Sequence, residues 1–137
     1  MTLFEKIKNL NLLLIDDDEW IRDSMRLFFE AEGCQLIALE TAEQAIELLK
    51  MQLFDIIIAD FRLPGINGIE FFKRTRERHK YSLKILITAY MNNAVAKAAK
   101  EAGVHDLIEK PFNPETIEKS LSRLLTRSSS RQSKDFK

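Results

Sequence analysis

The chain has 137 residues, 45% hydrophobic and 31% charged, which suits one globular domain with a substantial core. Lys+Arg and Asp+Glu balance at 21 each, so nothing selects for nucleic acid, and no apolar run nears the roughly 20 residues that span a bilayer. The opening MTLFEKIKNL lacks the features of a secretory signal, and the single Cys34 permits no internal disulfide, so the expectation is a cytoplasmic chain without membrane segments.

Residues 1–9 read as a lead-in, in which Phe4–Leu10 adds one amphipathic turn. The first strand is predicted at Leu10–Ile15 and ends in Asp16, Asp17 and Asp18. Ile21, Met25, Phe28 and Phe29 then recur at helical spacing, and Gly33 stops that helix before a second strand at Cys34–Leu39. Ala42, Ala45, Ile46 and Leu49 mark the second helix. The third strand, Phe54–Ala59, is almost wholly apolar and runs into Asp60, followed by the loop opener Phe61-Arg62-Leu63-Pro64-Gly65. Ile69, Phe72 and Arg76 give a weaker third helical stripe, and Leu83–Thr88 reads as a fourth strand. A fourth helix carries Ala94 or Val95, Ala98 and Ala102, and Gly103 stops it. The fifth strand, His105–Ile108, leads to Lys110-Pro111-Phe112. Asn113-Pro114-Glu115 then supplies a cap, a first helical residue and a first-turn acid for a fifth helix with Ile117, Leu121 and Leu124. From Ser128 the composition turns polar and Ser-rich, which predicts a flexible tail or linker start over 128–137.

Strands alternating with helices predict an α/β fold, a doubly wound five-stranded parallel sheet with five helices, over residues 10–127. In such sheets ligands sit outside the carboxyl ends of the strands. Those ends deliver Asp16, Asp17 and Asp18, then Asp60, then Thr88-Ala89, then Lys110. Three acids alone repel one another; converging on one rim, they suit a hard cation such as Mg²⁺, or Mn²⁺ in its place. Lys110 adds a fixed positive charge and Thr88 a hydroxyl donor, a set able to neutralise a phosphoryl group passing to a carboxylate. Asp60, alone at the mouth of a buried strand, is the natural acceptor.

The ordered set Asp16-Asp17, Asp60 with Pro64, Thr88-Ala89 and Lys110-Pro111-Phe112 resembles the receiver domain of two-component response regulators, the CheY-like flavodoxin fold, from Leu10 to about Leu125. The resemblance implies that Asp60 takes a phosphoryl group from a sensor histidine kinase or phosphotransfer protein. It implies that Asp17 binds Mg²⁺ directly, Asp16 through water, and the Arg62 backbone carbonyl and Asp60 complete the protein ligands. Thr88, Ala89 and Lys110 would grip the phosphoryl oxygens, and Lys110-Pro111 would be cis. Such a domain is a signalling switch rather than an enzyme, catalysing only its own phosphorylation and dephosphorylation. The face built from the fourth helix, fifth strand and fifth helix, with Lys97, Lys100, Glu101, Glu118 and Lys119, would serve a homodimer or a docked partner. One position departs: three residues before the lysine, where most receivers carry Tyr or Phe, stands Leu107, which has no ring to reorient.

Other residues have plainer readings. Asp18 reads as a helix N-terminal acid, Cys34 as a buried small hydrophobe, and the basic run Lys73–Lys80 as a solvated helix end. His79 and His105 lack metal-ligand spacing. Trp20 lies over the site or on the surface, and Tyr90 beside the site could modulate water access. Two alternatives remain at this level: a degenerate receiver that binds without phosphorylation, and an aspartate-nucleophile phosphatase of the haloacid dehalogenase type opening on Asp16-x-Asp18.

Overall fold

The computed structural model describes residues 2–135, with side chains described as far as Thr126. Five parallel strands form its sheet: β1 (Asn11–Ile15), β2 (Gln35–Leu39), β3 (Ile56–Asp60), β4 (Leu83–Thr88) and β5 (Asp106–Glu109). Their order is β2-β1-β3-β4-β5, so the chain direction across the sheet reverses between β1 and β3. That switch point opens the crevice where Asp16 and Asp60 emerge side by side, since Ile15 pairs with Ala59.

Successive residues of a strand point to opposite faces, and here both faces are covered. Leu12, Leu14, Ile56, Ile58, Ile85 and Ile87 pack against α1 (Leu3–Ile7), α2 (Glu19–Ala31) and α7 (Pro114–Asp135). Leu13, Ile15, Ile57, Ala59 and Leu86 pack against α3 (Ala42–Leu49), α4 (Gly68–Arg74) and α6 (Asn93–Glu101). All five residues of β3 are buried, the reason its sequence does not alternate. Gly33 and Gly103 take positive φ, 80° and 88°, at the two helix stops where the sequence placed them.

The described residues contain seven helices rather than the five expected. The lead-in forms α1, capped by Thr2, and it packs tightly: Ile7 is fully buried, and Phe4 meets the rings of Phe28 and Phe29 at 5.8 and 6.4 Å. The third predicted helix breaks at Thr75 into α4 and a single turn, α5 (Arg76–His79). Thr75 Oγ1 donates to the Phe71 carbonyl at 2.8 Å, a back-bond that bends helices, and Thr75 leaves helical geometry at φ −105°, ψ 15°. Arg76, expected on the apolar stripe, is exposed and donates to the Glu101 carbonyl, whereas Phe71 is fully buried. The polar tail expected over 128–137 falls on residues whose side chains lie outside those described; the backbone of α7 is helical as far as Asp135. Among the described residues no helix is long and apolar enough to cross a membrane.

Candidate functional site

At the end of β1 the Asp16 N–H donates to the Leu39 carbonyl, and the Arg22 guanidinium donates to the Asp16 carbonyl at 2.8 Å. These contacts fix the backbone so that the Asp16 side chain turns inward, where it is fully buried. Its Oδ1 accepts the Asp18 N–H at 2.9 Å. Asp18 itself is the N-cap of α2, its Oδ1 accepting from Trp20 N at 2.8 Å and Ile21 N at 3.3 Å. Asp17 is exposed between them. The three-acid run therefore divides into one buried carboxylate, one rim carboxylate and one helix cap.

Asp60 is the last residue of β3 and only 4% exposed. Behind it, α4 begins at Gly68, where an added Cβ would lie 2.3 Å from the Asp60 carbonyl oxygen and 2.9 Å from Leu86 Cδ1. Only glycine lets that helix approach so closely. Asn67 caps it through the Glu70 N–H at 2.8 Å. On the other side β4 ends at Thr88, fully buried, whose Oγ1 accepts the Tyr90 N–H at 3.0 Å. Ala89 is exposed at the start of the following loop. The Lys110 N–H donates to the Thr88 carbonyl, carrying the β4–β5 ladder one residue further, and the Lys110-Pro111 peptide is cis, as expected.

Lys110 Nζ reaches back over the acids, 2.8 Å from Asp60 Oδ2 and 3.2 Å from Asp16 Oδ2. The first contact is a hydrogen bond; the second is an ion pair, and Asp16 Oδ2 is buried without a hydrogen-bond partner among the described residues. Burial pushes both Asp16 and Asp60 above the usual carboxylate range. The Asp18 N–H opposes this at Asp16, and Lys110 opposes it at both. Burial alone would lower Lys110, but the hydrogen bond to Asp60 and the charges of both acids outweigh it and raise its pKa.

Ligand oxygens of Asp16, Asp17 and Asp60 lie within 4.8 Å of one another. A hard divalent cation fits this set: the oxygens crowd, they repel, and one of them lacks a donor. Asp16, Asp17, Asp60, Thr88 and Lys110, singled out in the sequence, thus come together on one rim. Arg62 is the second residue of the loop beyond Asp60, and its exposed side chain turns to Tyr90, with the guanidinium carbon 4.2 Å from the ring centroid. Leu107 is half-buried against the α6 side of the core. Trp20 is 79% exposed, which answers where it lies.

Sequence reasoning missed three contributors. They are Arg22 on the Asp16 carbonyl, the Asp18 N–H on the Asp16 carboxylate, and Gly68 beneath Asp60. Asn67-Gly68 opening an apolar helix was a legible signal for the last; the other two depend on the turn geometry. The phosphatase reading needs Asp18 turned toward the ligand, but its Oδ1 is engaged by the start of α2.

A response regulator receiver domain model matches residues 12–122. ResD, a transcriptional regulatory protein of Bacillus subtilis, is 31% identical over 125 residues, covering 91% of this chain and 52% of its own length. A cyclic di-GMP phosphodiesterase of Thermotoga maritima is 29% identical over 116 residues, but this chain spans only 31% of it. The chemotaxis response regulator CheY4 of Vibrio cholerae superposes with a TM-score of 0.78 at 28% identity, over 83% of this chain and 97% of that one.

Proposed function

The chain belongs to the response regulator receiver domain family, and from that premise we propose that Asp60 is its phosphoacceptor. Receiver domains are signalling switches, not classical enzymes, and the phosphodiesterase named in Thermotoga maritima is matched over less than a third of its length. The observation that carries the proposal is the convergence on Asp60 of a cation and two further carboxylates: Lys110 Nζ at 2.8 Å, with Asp16 and Asp17 alongside.

The donor is a phosphohistidine on a sensor histidine kinase or phosphotransfer protein. A carboxylate oxygen of Asp60 attacks phosphorus, a P–O bond forms, and the P–N bond to the donor imidazole breaks. Asp16, Asp17, Asp60 and the Arg62 carbonyl are the protein groups that would hold Mg²⁺, which supplies charge neutralisation on the phosphoryl oxygens when bound. Lys110 shifts from balancing two carboxylates to pairing with the transferred group, and the Thr88 hydroxyl donates to it. Ala89 offers its backbone N–H at the same rim. Phosphorylation then biases a two-state equilibrium read on the face of α6, β5 and α7, where Lys97, Lys100, Glu101 and Lys119 are exposed. Asp106 in β5 is tied within the chain to Ser120 and Arg123, so that face is internally braced. A partner or a second copy docks there.

The test is intact mass after incubation with acetyl phosphate and Mg²⁺, beside Asp60→Asn and a chelator control. One phosphoryl on the wild type and none in either control supports the proposal. No adduct and no phosphate release supports a phosphorylation-independent binding module instead.

A further inference from the structure

The loop after Asp60 (residues 61–67) and the loop after Thr88 (residues 89–92) leave adjacent strands, because every residue of β3 pairs with β4, ending at Asp60 beside Ile87. Across the gap Arg62 stacks on Tyr90 at 4.2 Å. Tyr90 is also tied to a site residue, its N–H donating to Thr88 Oγ1 at 3.0 Å. A chain of contacts therefore runs from Arg62, two residues beyond Asp60, through Tyr90 to Thr88. Tyr90 is 54% exposed, so its ring is not held there by burial in the core. Its specific partner is a planar cation, the shape that stacks on aromatic faces.

We infer that Tyr90 is a positioning residue of the phosphoacceptor site. Its ring seats the Arg62 guanidinium and so restrains the loop from which the Arg62 carbonyl serves the metal. Without the ring, the loop spends part of its time in conformations that present no third oxygen, and apparent metal affinity falls by the competent fraction. The inference rests on the receiver reading above. An exposed cation–π contact corresponds to a weakening of roughly two- to fivefold in Mg²⁺ affinity when it is removed.

The experiment is an Mg²⁺ titration of the full chain followed by amide NMR shifts, on wild type, Tyr90→Phe, Tyr90→Leu, Arg62→Lys and Tyr90→Leu in the Arg62→Lys background. Tyr90 is exposed, so the variants keep the folded spectrum. Tyr90→Phe is expected to match wild type, because the ring face and not the hydroxyl carries the contact. Tyr90→Leu is expected to bind two- to fivefold more weakly, and to cost less in the Arg62→Lys background than with arginine present. Leucine binding like tyrosine, phenylalanine as weak as leucine, or an equal cost in both backgrounds would each overturn the inference while leaving the receiver reading intact. A wild type whose Asp16, Asp17 and Asp60 amides do not respond to Mg²⁺ would overturn both.

Discussion

Lys110→Met removes the cation that pairs with the carboxylates of both Asp16 and Asp60, and replaces it with an apolar chain of similar length. At an effective dielectric of about 20, each contact, at 2.8 and 3.2 Å, is worth about 5–6 kcal/mol in gross Coulomb terms. Desolvation of three charged groups offsets most of this, and breaking a buried pair by deleting one partner costs about 3–5 kcal/mol net. The lower end applies here, because Lys110 keeps 21% side-chain exposure and both acids can soften the loss by taking up a proton. We therefore expect Lys110→Met to lose about 3 kcal/mol in chelator at neutral pH, roughly 10 °C in Tm for a chain of this length. Mg²⁺ supplies charge to the same oxygens, so its stabilising effect is expected to be larger in the variant than in wild type. Urea unfolding with and without Mg²⁺ measures both quantities. A variant within about 0.5 kcal/mol of wild type in chelator, the range of an ordinary surface change, would refute the reasoning.

Gly68→Ala is expected to cost about 1–3 kcal/mol, because its Cβ would meet the Asp60 carbonyl at 2.3 Å and neither backbone can yield; unfolding at wild-type stability would contradict this. His79 is buried, with Nε2 on the Phe72 carbonyl at 2.8 Å and Nδ1 unpaired, and burial, with the charge of Lys84 adding to it, pushes its pKa below the usual 6.5. Below pH 6.5 the unfolded chain binds a proton that the folded chain excludes, so stability is lost as pH falls, with a slope of up to about 1.4 kcal/mol per unit. His79→Gln is expected to remove that slope; urea unfolding curves of variant and wild type that stay parallel between neutral and mildly acid pH would contradict it.

The site was legible because its residues sit at strand ends, and strand ends are marked by abrupt changes in hydropathy. Ile15 to Asp16, Ala59 to Asp60 and Ile87 to Thr88 are all such steps. The parallel sheet was legible for a related reason, since only a strand covered on both faces tolerates Ile56-Ile57-Ile58 in a row. Contacts that depend on tertiary placement were not. Lys84 looks like an ordinary charge in β4, yet it is 4% exposed, its Nζ donating to the carbonyls of His79, the last residue of α5, and of Ser82, just before β4. Nothing local announces those acceptors. Thr75 likewise reads as a mid-helix residue until its hydroxyl is found on Phe71. The amphipathic turn read at Phe4–Leu10 is there as α1, but nothing local shows what it packs on: Phe4 meets the rings of Phe28 and Phe29, more than twenty positions away.

The assignment of Asp60 as acceptor is tested most directly by trapping the acyl phosphate. Protein treated with acetyl phosphate and Mg²⁺ would be reduced with borohydride, which converts an aspartyl phosphate to homoserine, and then mapped by peptide mass spectrometry. Homoserine at position 60 alone is the expected result. Homoserine at 16 or 17, or a phosphoryl group that survives reduction on a hydroxyl side chain, would contradict it.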